Sequence, residues 1–267
     1  MSILQAIILG IVQGIAEFLP ISSSGHLILM QAAFDMGHLE DAFTFDIVVH
    51  AGTLVAIIAV FWKDIWSILR NPFSKMTGLL IAGSIPVAVA GFFFRDVIES
   101  FRGGIWLAIA FTITGCLLLF ADKFKTGTKE ERDITFVDAI IVGCMQALAL
   151  PPGISRSGTT IAGALSRGIN RETAARFSFL LAAIAIAGVS GLEAVLVITG
   201  DTVDGYAVGM SAMIVGFIAS AVVGYAAIKF LLRLIKAAKL RYFSYYVWAL
   251  AAFILLDLIA EFNLLRW

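Results

Sequence analysis

Apolar residues dominate the chain in long blocks, with no strand-like alternation. Stretches such as "FDIVVHAGTLVAIIAVFW" and "WLAIAFTITGCLLLF" are apolar around a whole helix and near bilayer length, so they read as membrane spans. Two polar islands interrupt the pattern: "PISSSGH" at Pro20–His26 and "PPGISRSGTT" at Pro151–Thr160. They belong to longer matching words, "GIVQGIAEFLPISSSGHLI" from Gly10 and "GCMQALALPPGISRSGTTI" from Gly143. The match holds at one offset: Gly10 with Gly143, Gln13 with Gln146, Ile21 with Ile154, Ser22 with Ser155, Ser24 with Ser157 and Gly25 with Gly158. After one extra residue, "AFTFDI" from Ala42 resembles "RFSFLL" from Arg176. This reads as an internal duplication.

The pattern predicts an all-α polytopic membrane protein forming a single integral membrane domain over 1–267. Two repeats, about 1–122 and 134–267, are joined by the polar linker 122–134 containing "DKFKTGTKEERD". Each repeat has an island segment (about 3–34 and 135–168) followed by three spans, at about 42–62, 76–95 and 104–121, then at about 173–199, 207–232 and 243–265. The first helix reads as part of the protein, with no basic n-region or small-residue cleavage site of a signal peptide.

The arms of each island segment, about fourteen residues, are shorter than the about twenty a bilayer core needs. Proline and glycine break the helix between them. Two re-entrant helix–loop–helix hairpins beside six transmembrane spans are therefore expected. Charge supports this. If both hairpins return to their side of entry, 15 of the 19 Lys and Arg residues collect on one face and 3 on the other, with Arg156 at a tip. Two full spans per island segment would instead split the same residues 8 against 10. The positive-inside rule then puts the basic face in the cytoplasm and both termini outside. Three spans per repeat make an inverted-topology repeat, whose two tips can meet near mid-membrane.

Composition changes this picture little. The chain is 60% hydrophobic and 14% charged, with Lys+Arg and Asp+Glu equal at 19. Zero net charge points to no nucleic acid. Cys116 and Cys144, the two cysteines, read as small packing residues rather than a disulfide or a metal site.

The islands carry the chemistry. Ser22, Ser23 and Ser24, and likewise Ser155 and Ser157, stand at or near the start of a new helix. Free N–H groups and the positive dipole end favour an anion there, phosphate above all. Arg156 between two such ends can grip two phosphate oxygens at once. Ser22, Ser24 and Ser157 also fit simple close packing. Arg156 does not: an arginine deep in a membrane costs about 2.5–3.5 kcal/mol even on a lenient insertion scale. Glu17, Ser23 and His26 supply a potential base, nucleophile and acid, and Gln13 lies one helical turn before Glu17. Asp46 and His50, at i and i+4, read as a polar wall, a weak metal-ligand pair or an interhelical hydrogen-bonded pair. His38 reads as a loop residue without a special role.

"QGIAEFLPISSSGH" and "PGISRSGTT" together resemble the two signatures of the undecaprenyl-diphosphate phosphatase (bacitracin-resistance) family. The resemblance runs over nearly the whole chain, including "FDIVVHAGTLVAIIAVFW", "SIPVAVAGFFF" and "RFSFLL". It implies an integral enzyme of the bacterial plasma (inner) membrane that removes the terminal phosphate of undecaprenyl diphosphate and so recycles the lipid carrier for cell-wall synthesis. It also implies a site open to the outer, periplasmic side and a divalent cation, Mg²⁺ or Ca²⁺. The family's catalytic positions fall on Glu17, Ser23, His26 and Arg156. Ser22, Ser24, Gly25, Ser155, Ser157 and Thr160 are the substrate-binding candidates, and Glu17 with Gln13 the metal candidates. Gln13 stands where many members have Glu, which weakens the metal expectation. Pro151 replaces a usual apolar residue, and Ile184 stands where many members have proline.

Either Ser23 or His26 can be the nucleophile on this reading. The polyprenyl diphosphate and the bilayer are the expected partners, with a homodimer possible. Another functional class shares the architecture: inverted repeats with broken helices also build lipid-phosphate transporters and flippases. A carrier would need Arg156 and the helix ends but not Glu17 with His26. An intramembrane serine protease would not call for a buried arginine beside helix N-termini.

Overall fold

A computed structural model describes residues 1–36, 40–101, 103–124, 127–199, 208–235, 239–262 and 264–265. His38, and Lys125, Lys236, Arg102 and Arg266 of the charge count, lie outside these residues. The described chain is helical, with one isolated bridge, Lys129 to Ile169. In order, the helices are α1 (Ile3–Ala16), α2 (Ser23–Ala33), α3 (Glu40–Val60), α4 (Trp62–Arg70), α5 (Lys75–Phe93), α6 (Arg95–Glu99), α7 (Gly104–Asp122), α8 (Phe136–Leu148), α9 (Arg156–Ser166), α10 (Arg171–Thr199), α11 (Met210–Leu234) and α12 (Arg241–Ala260).

Among the described residues, five helices, α5, α7, α10, α11 and α12, are long and apolar enough to cross a membrane, and α3 with α4 makes a sixth if the bent pair counts as one span. Their outer faces keep large apolar side chains exposed, such as Ile81, Ile85 and Phe92 on α5 and Phe253, Leu256 and Ile259 on α12. This is the surface of a multi-pass protein whose solvent is lipid.

Two features depart from the sequence reading. The chain bends by 82° after α3, and α4 forms between the spans expected at about 42–62 and 76–95, where the sequence reading placed no helix. There Trp62 stacks on Trp66 and Arg70 lies 4.9 Å over the Trp66 ring. Tryptophan and arginine together suit a membrane–water interface. Cys116 and Cys144 are free and exposed on α7 and α8, so neither is a packing residue. Their helices already fill the interior with other positions, such as Phe111 and Leu118 on α7 and Ala139 and Val142 on α8.

The helices cross closely where glycine removes the side chain. On α1, a Cβ at Gly10 would run into the Gly216 carbonyl of α11, and one at Gly14 into the Ser220 carbonyl. On α8, a Cβ at Gly143 would run into the Gly83 carbonyl of α5. Small residues permit such approaches, and the resulting van der Waals contact holds membrane helices together. Deeper in, Phe18 meets Phe179 edge-on at 5.6 Å, tying the α1–α2 break to α10. At one end of α8, buried Asp138 accepts from Lys129 Nζ at 2.9 Å and from Arg167 Nε at 2.8 Å. Through Lys129, the end of the linker is fastened to the end of α9.

Candidate active site

Both helical breaks end in the same cap. Ser22 caps α2, its Oγ accepting from Gly25 N–H at 3.3 Å, and Ser155 caps α9, its Oγ accepting from Gly158 N–H at 3.1 Å. The paired hydroxyls repeat as well: Ser22 Oγ to Ser24 Oγ and Ser155 Oγ to Ser157 Oγ are both 3.3 Å. The tips lock to each other, Ser157 Oγ donating to the Leu19 carbonyl at 3.0 Å and Gly153 N–H reaching Ser24 Oγ at 3.5 Å. Gly153 has φ +91°, a conformation side chains resist, and a Cβ there would strike Ala110 and Leu107. Trp106 Nε1 donates to the Pro152 carbonyl at 3.1 Å, so Pro151–Pro152 is held against α7.

Where the tips meet lies a cavity of about 300 Å³. Ser22, Ser23 and Ser24 line one side, Ser155, Arg156 and Ser157 the other, with Glu17 between them. Asp46 and His50 of α3 and Gln146 of α8 complete the polar wall, and Val87, Ile186 and Val189 supply an apolar one.

Glu17 is the hub. The Ser23 hydroxyl donates to its Oε2 at 2.5 Å, and Gln13 Nε2 donates to the same oxygen at 3.1 Å. Its Oε1 forms an ion pair with Arg156 Nη2 across the interface of the tips. His50 Nε2 approaches Oε2 at 3.7 Å, while His50 Nδ1 donates to the Asp46 carbonyl at 2.6 Å. Asp46 accepts from Gln31 Nε2 at 2.8 Å, which is an interhelical hydrogen bond between α2 and α3. Among the described residues, the buried polar atoms here without a hydrogen-bond partner are Arg156 Nη1, Gln13 Oε1, both amide atoms of Gln146, and Glu17 Oε1, which has only its ion pair with Arg156. A buried polar atom without a partner is costly, and sites keep such atoms for a ligand.

The structure thus gathers Glu17, Ser23, Arg156, Ser22, Ser24, Ser155 and Ser157 around one cavity. Four other candidates are not part of its lining. Gln13 sits behind Glu17. Gly25 is pressed against Phe111 and the Gly153 backbone. Thr160 donates to the Arg156 carbonyl at 2.7 Å and pairs with Ser178 at 2.5 Å, so it braces the first turn of α9 from beneath. His26 turns toward α12, with Nε2 2.8 Å from the Tyr246 hydroxyl. Gln146 and Tyr246 were not singled out as site residues from sequence. The repeat had paired Gln146 with Gln13, which was a usable signal; no signal near the islands pointed to Tyr246.

The oxygen donors around Glu17 fit a hard cation in part. The free Gln13 Oε1 and the Glu17 carboxylate are two suitable ligands, but no group of three His, Cys, Asp or Glu side chains is placed to hold a metal among the described residues.

Comparison with known proteins agrees with the sequence resemblance. The family model described as bacitracin resistance protein BacA matches residues 6–253. An undecaprenyl-diphosphatase of Carboxydothermus hydrogenoformans is 46% identical over 256 residues, covering 96% of this chain and 97% of that protein. Undecaprenyl-diphosphatase 4 of Bacillus cereus is 44% identical with the same coverage. An undecaprenyl-diphosphatase of Methanosphaera stadtmanae is 41% identical over 269 residues, covering 92% of this chain and 94% of its own. By these matches and by the two tips that carry its signatures, the chain belongs to the bacitracin resistance protein BacA family.

Proposed function

We propose that the protein hydrolyses undecaprenyl diphosphate to undecaprenyl phosphate and phosphate, regenerating the lipid carrier of cell-wall synthesis. The observation that carries this reading is the Ser23–Glu17–Arg156 arrangement: a nucleophile on a base, and a buried guanidinium whose Nη1 is free for an anion. The diphosphate lies between the N-termini of α2 and α9, with Arg156 and first-turn amides on its oxygens. Glu17 takes the Ser23 proton as Oγ attacks the terminal phosphorus. The bond to the bridging oxygen breaks, and undecaprenyl phosphate leaves with the electron pair. Water then cleaves the phosphoserine, releasing phosphate and restoring the hydroxyl. The apolar wall from α5 and α10 receives the first isoprene units.

A divalent cation fits this scheme if the substrate supplies most of its ligands. Glu17 would be its contact from the cavity wall, with Gln13 behind it, and the cation would supply charge neutralisation on the diphosphate oxygens. Ser23 is favoured over His26 as nucleophile because both His26 ring nitrogens are engaged elsewhere. A carrier would need the anion pocket alone; the hydroxyl seated on a carboxylate favours an enzyme.

The helix pairs α1–α2 and α8–α9 are read as re-entrant hairpins of two inverted repeats, about 1–122 and 134–267. Support comes from the mirrored caps and from the crossings: Gly10 meets Gly216 and Gly143 meets Gly83, so each glycine's repeat partner makes the matching contact. On this topology both termini and the mouth of the site face outward.

The test is phosphate release from undecaprenyl diphosphate by the purified protein in detergent, with and without Mg²⁺ or Ca²⁺. Wild type is expected to turn over, Ser23→Ala and Arg156→Ala to lose turnover, and labelled phosphate to be trapped on Ser23. No release by folded wild type would overturn the phosphatase reading.

A further inference from the structure

His26 lies in the first turn of α2, yet its ring points away from the cavity, into a slot between α7 and α12. The Phe111 ring meets it edge-on at 5.4 Å, and the Tyr246 ring stacks on it at 5.6 Å with the planes 12° apart. Its Nδ1 is 2.7 Å from the Ser22 carbonyl oxygen and its Nε2 is 2.8 Å from the Tyr246 hydroxyl. A carbonyl only accepts, so Nδ1 carries the hydrogen, and Nε2 of the neutral ring accepts from Tyr246. The lone pair a base would use is therefore already occupied.

What His26 holds is an unusual piece of backbone. Ser22 has φ +71° and ψ +101°, a conformation that a non-glycine residue rarely keeps unless its surroundings impose it. It is the residue immediately before Ser23, so its torsions set where the Ser23 hydroxyl points. The other tip is a built-in control. Ser155, the repeat partner of Ser22, is relaxed at φ −74° and ψ 114°. Thr159, the partner of His26, bonds the Arg156 carbonyl instead. The strained cap and the imidazole on it occur together, on the tip that carries the nucleophile.

We infer that His26 and Tyr246 are positioning residues: Tyr246 fixes the His26 ring, and the ring's Nδ1–H holds the strained Ser22 carbonyl that aims Ser23 at Glu17. This rests on the phosphatase reading with Ser23 as nucleophile. It assigns His26 a role outside the chemical steps and brings in Tyr246, 220 residues away in sequence.

The experiment compares His26→Asn, His26→Gln, His26→Ala and Tyr246→Phe, reading kcat, KM, thermal stability and phosphate trapped on the enzyme. The Asn amide nitrogen stands near the position of Nδ1 and the Gln amide nitrogen near that of Nε2. Asn should therefore keep the bond to Ser22 without offering a base. The expectation is kcat within about tenfold of wild type for Asn, and a fall of about a hundredfold for Gln and Ala, as for a misplaced reacting group, with KM little changed. Tyr246→Phe keeps the stacked ring and should lower kcat by about two- to tenfold. If His26→Asn is as inactive as His26→Ala while equally folded, if label is recovered on His26, or if Tyr246→Phe leaves kcat unchanged, the inference is wrong. Should the alanine variant not fold, the Asn–Gln contrast still decides. Absence of turnover in wild type would instead count against the phosphatase reading itself.

Discussion

Ser23 and Glu17 are joined by a 2.5 Å hydrogen bond across the first helical break, and the far oxygen of the same carboxylate holds Arg156 of the second. One carboxylate thus couples the proposed nucleophile of one tip to the proposed anion clamp of the other. Changing it affects both, in opposite directions.

Glu17→Gln removes the proposed base while freeing the guanidinium. Turnover should fall by about 10²–10⁴-fold, the range for loss of a positioned acid or base. Binding of the diphosphate should not weaken, because Arg156 no longer shares its charge with a carboxylate. The protein should also lose about 3–5 kcal/mol of stability, since a buried cation is left without its partner. Single-turnover rates, substrate affinity and thermal denaturation in detergent check the three parts. Weaker binding in the variant would contradict the shared-clamp geometry.

Gln146 is almost fully buried, lines the cavity, and among the described residues has no partner for either amide atom. Such a group costs about 1–3 kcal/mol unless a ligand satisfies it. Gln146→Leu, similar in size, should therefore raise the melting temperature of the free protein while raising KM. Stability and function moving in opposite directions identifies a group kept for the substrate. A lower melting temperature with unchanged KM would mean that Gln146 is structural.

The difference between what sequence did and did not show follows from how far each feature depends on distant contacts. The caps, the breaks and the meeting of Ser23 with Arg156 were legible because proline, glycine and serine act locally and the repeat displayed them twice. The spans were legible from length and apolarity. Helix α4 was not, because Lys63, Asp64 and Arg70 interrupt the apolar run beyond the span expected at about 42–62; the helical spacing of Trp62, Trp66 and Leu69 was the overlooked signal. The direction of the His26 ring depends on Tyr246 and Phe111, and no pattern around the island encodes them. Likewise, Gln146 is recognisable as unsatisfied only once its neighbours are in place.

The glycine crossings make a comparison of opposite signs. Gly10→Val and Gly143→Val each force a side chain onto the backbone of a neighbouring helix, Gly216 in one case and Gly83 in the other. Each should cost about 1–3 kcal/mol or more, by overpacking. Gly188→Ala, within α10, meets nothing within 4 Å and should stabilise by about 0.5–1 kcal/mol through helix propensity. Thermal denaturation of the three variants checks this, and a neutral Gly10→Val would contradict the close crossing of α1 and α11.

Asp138 gives a pH dependence with a definite sign. Burial pushes its carboxyl toward the neutral form, but Lys129, Arg167 and Thr135 outweigh burial and hold it well below the ordinary carboxylate value. A carboxyl whose value is lowered by folding stabilises the protein fully above its unfolded value, about pH 4, and loses that contribution as the pH falls toward its folded value. Wild type should therefore melt higher than Asp138→Asn at pH 7, and the gap should narrow steadily below about pH 4. The asparagine variant should also loosen the junction of the linker with α9, since Lys129 and Arg167 lose their common acceptor. Melting curves of both proteins from pH 7 to 3, in a detergent whose own charge does not change over that range, measure the gap. A gap that stays constant across the range would mean that the bridge contributes by packing and not by charge.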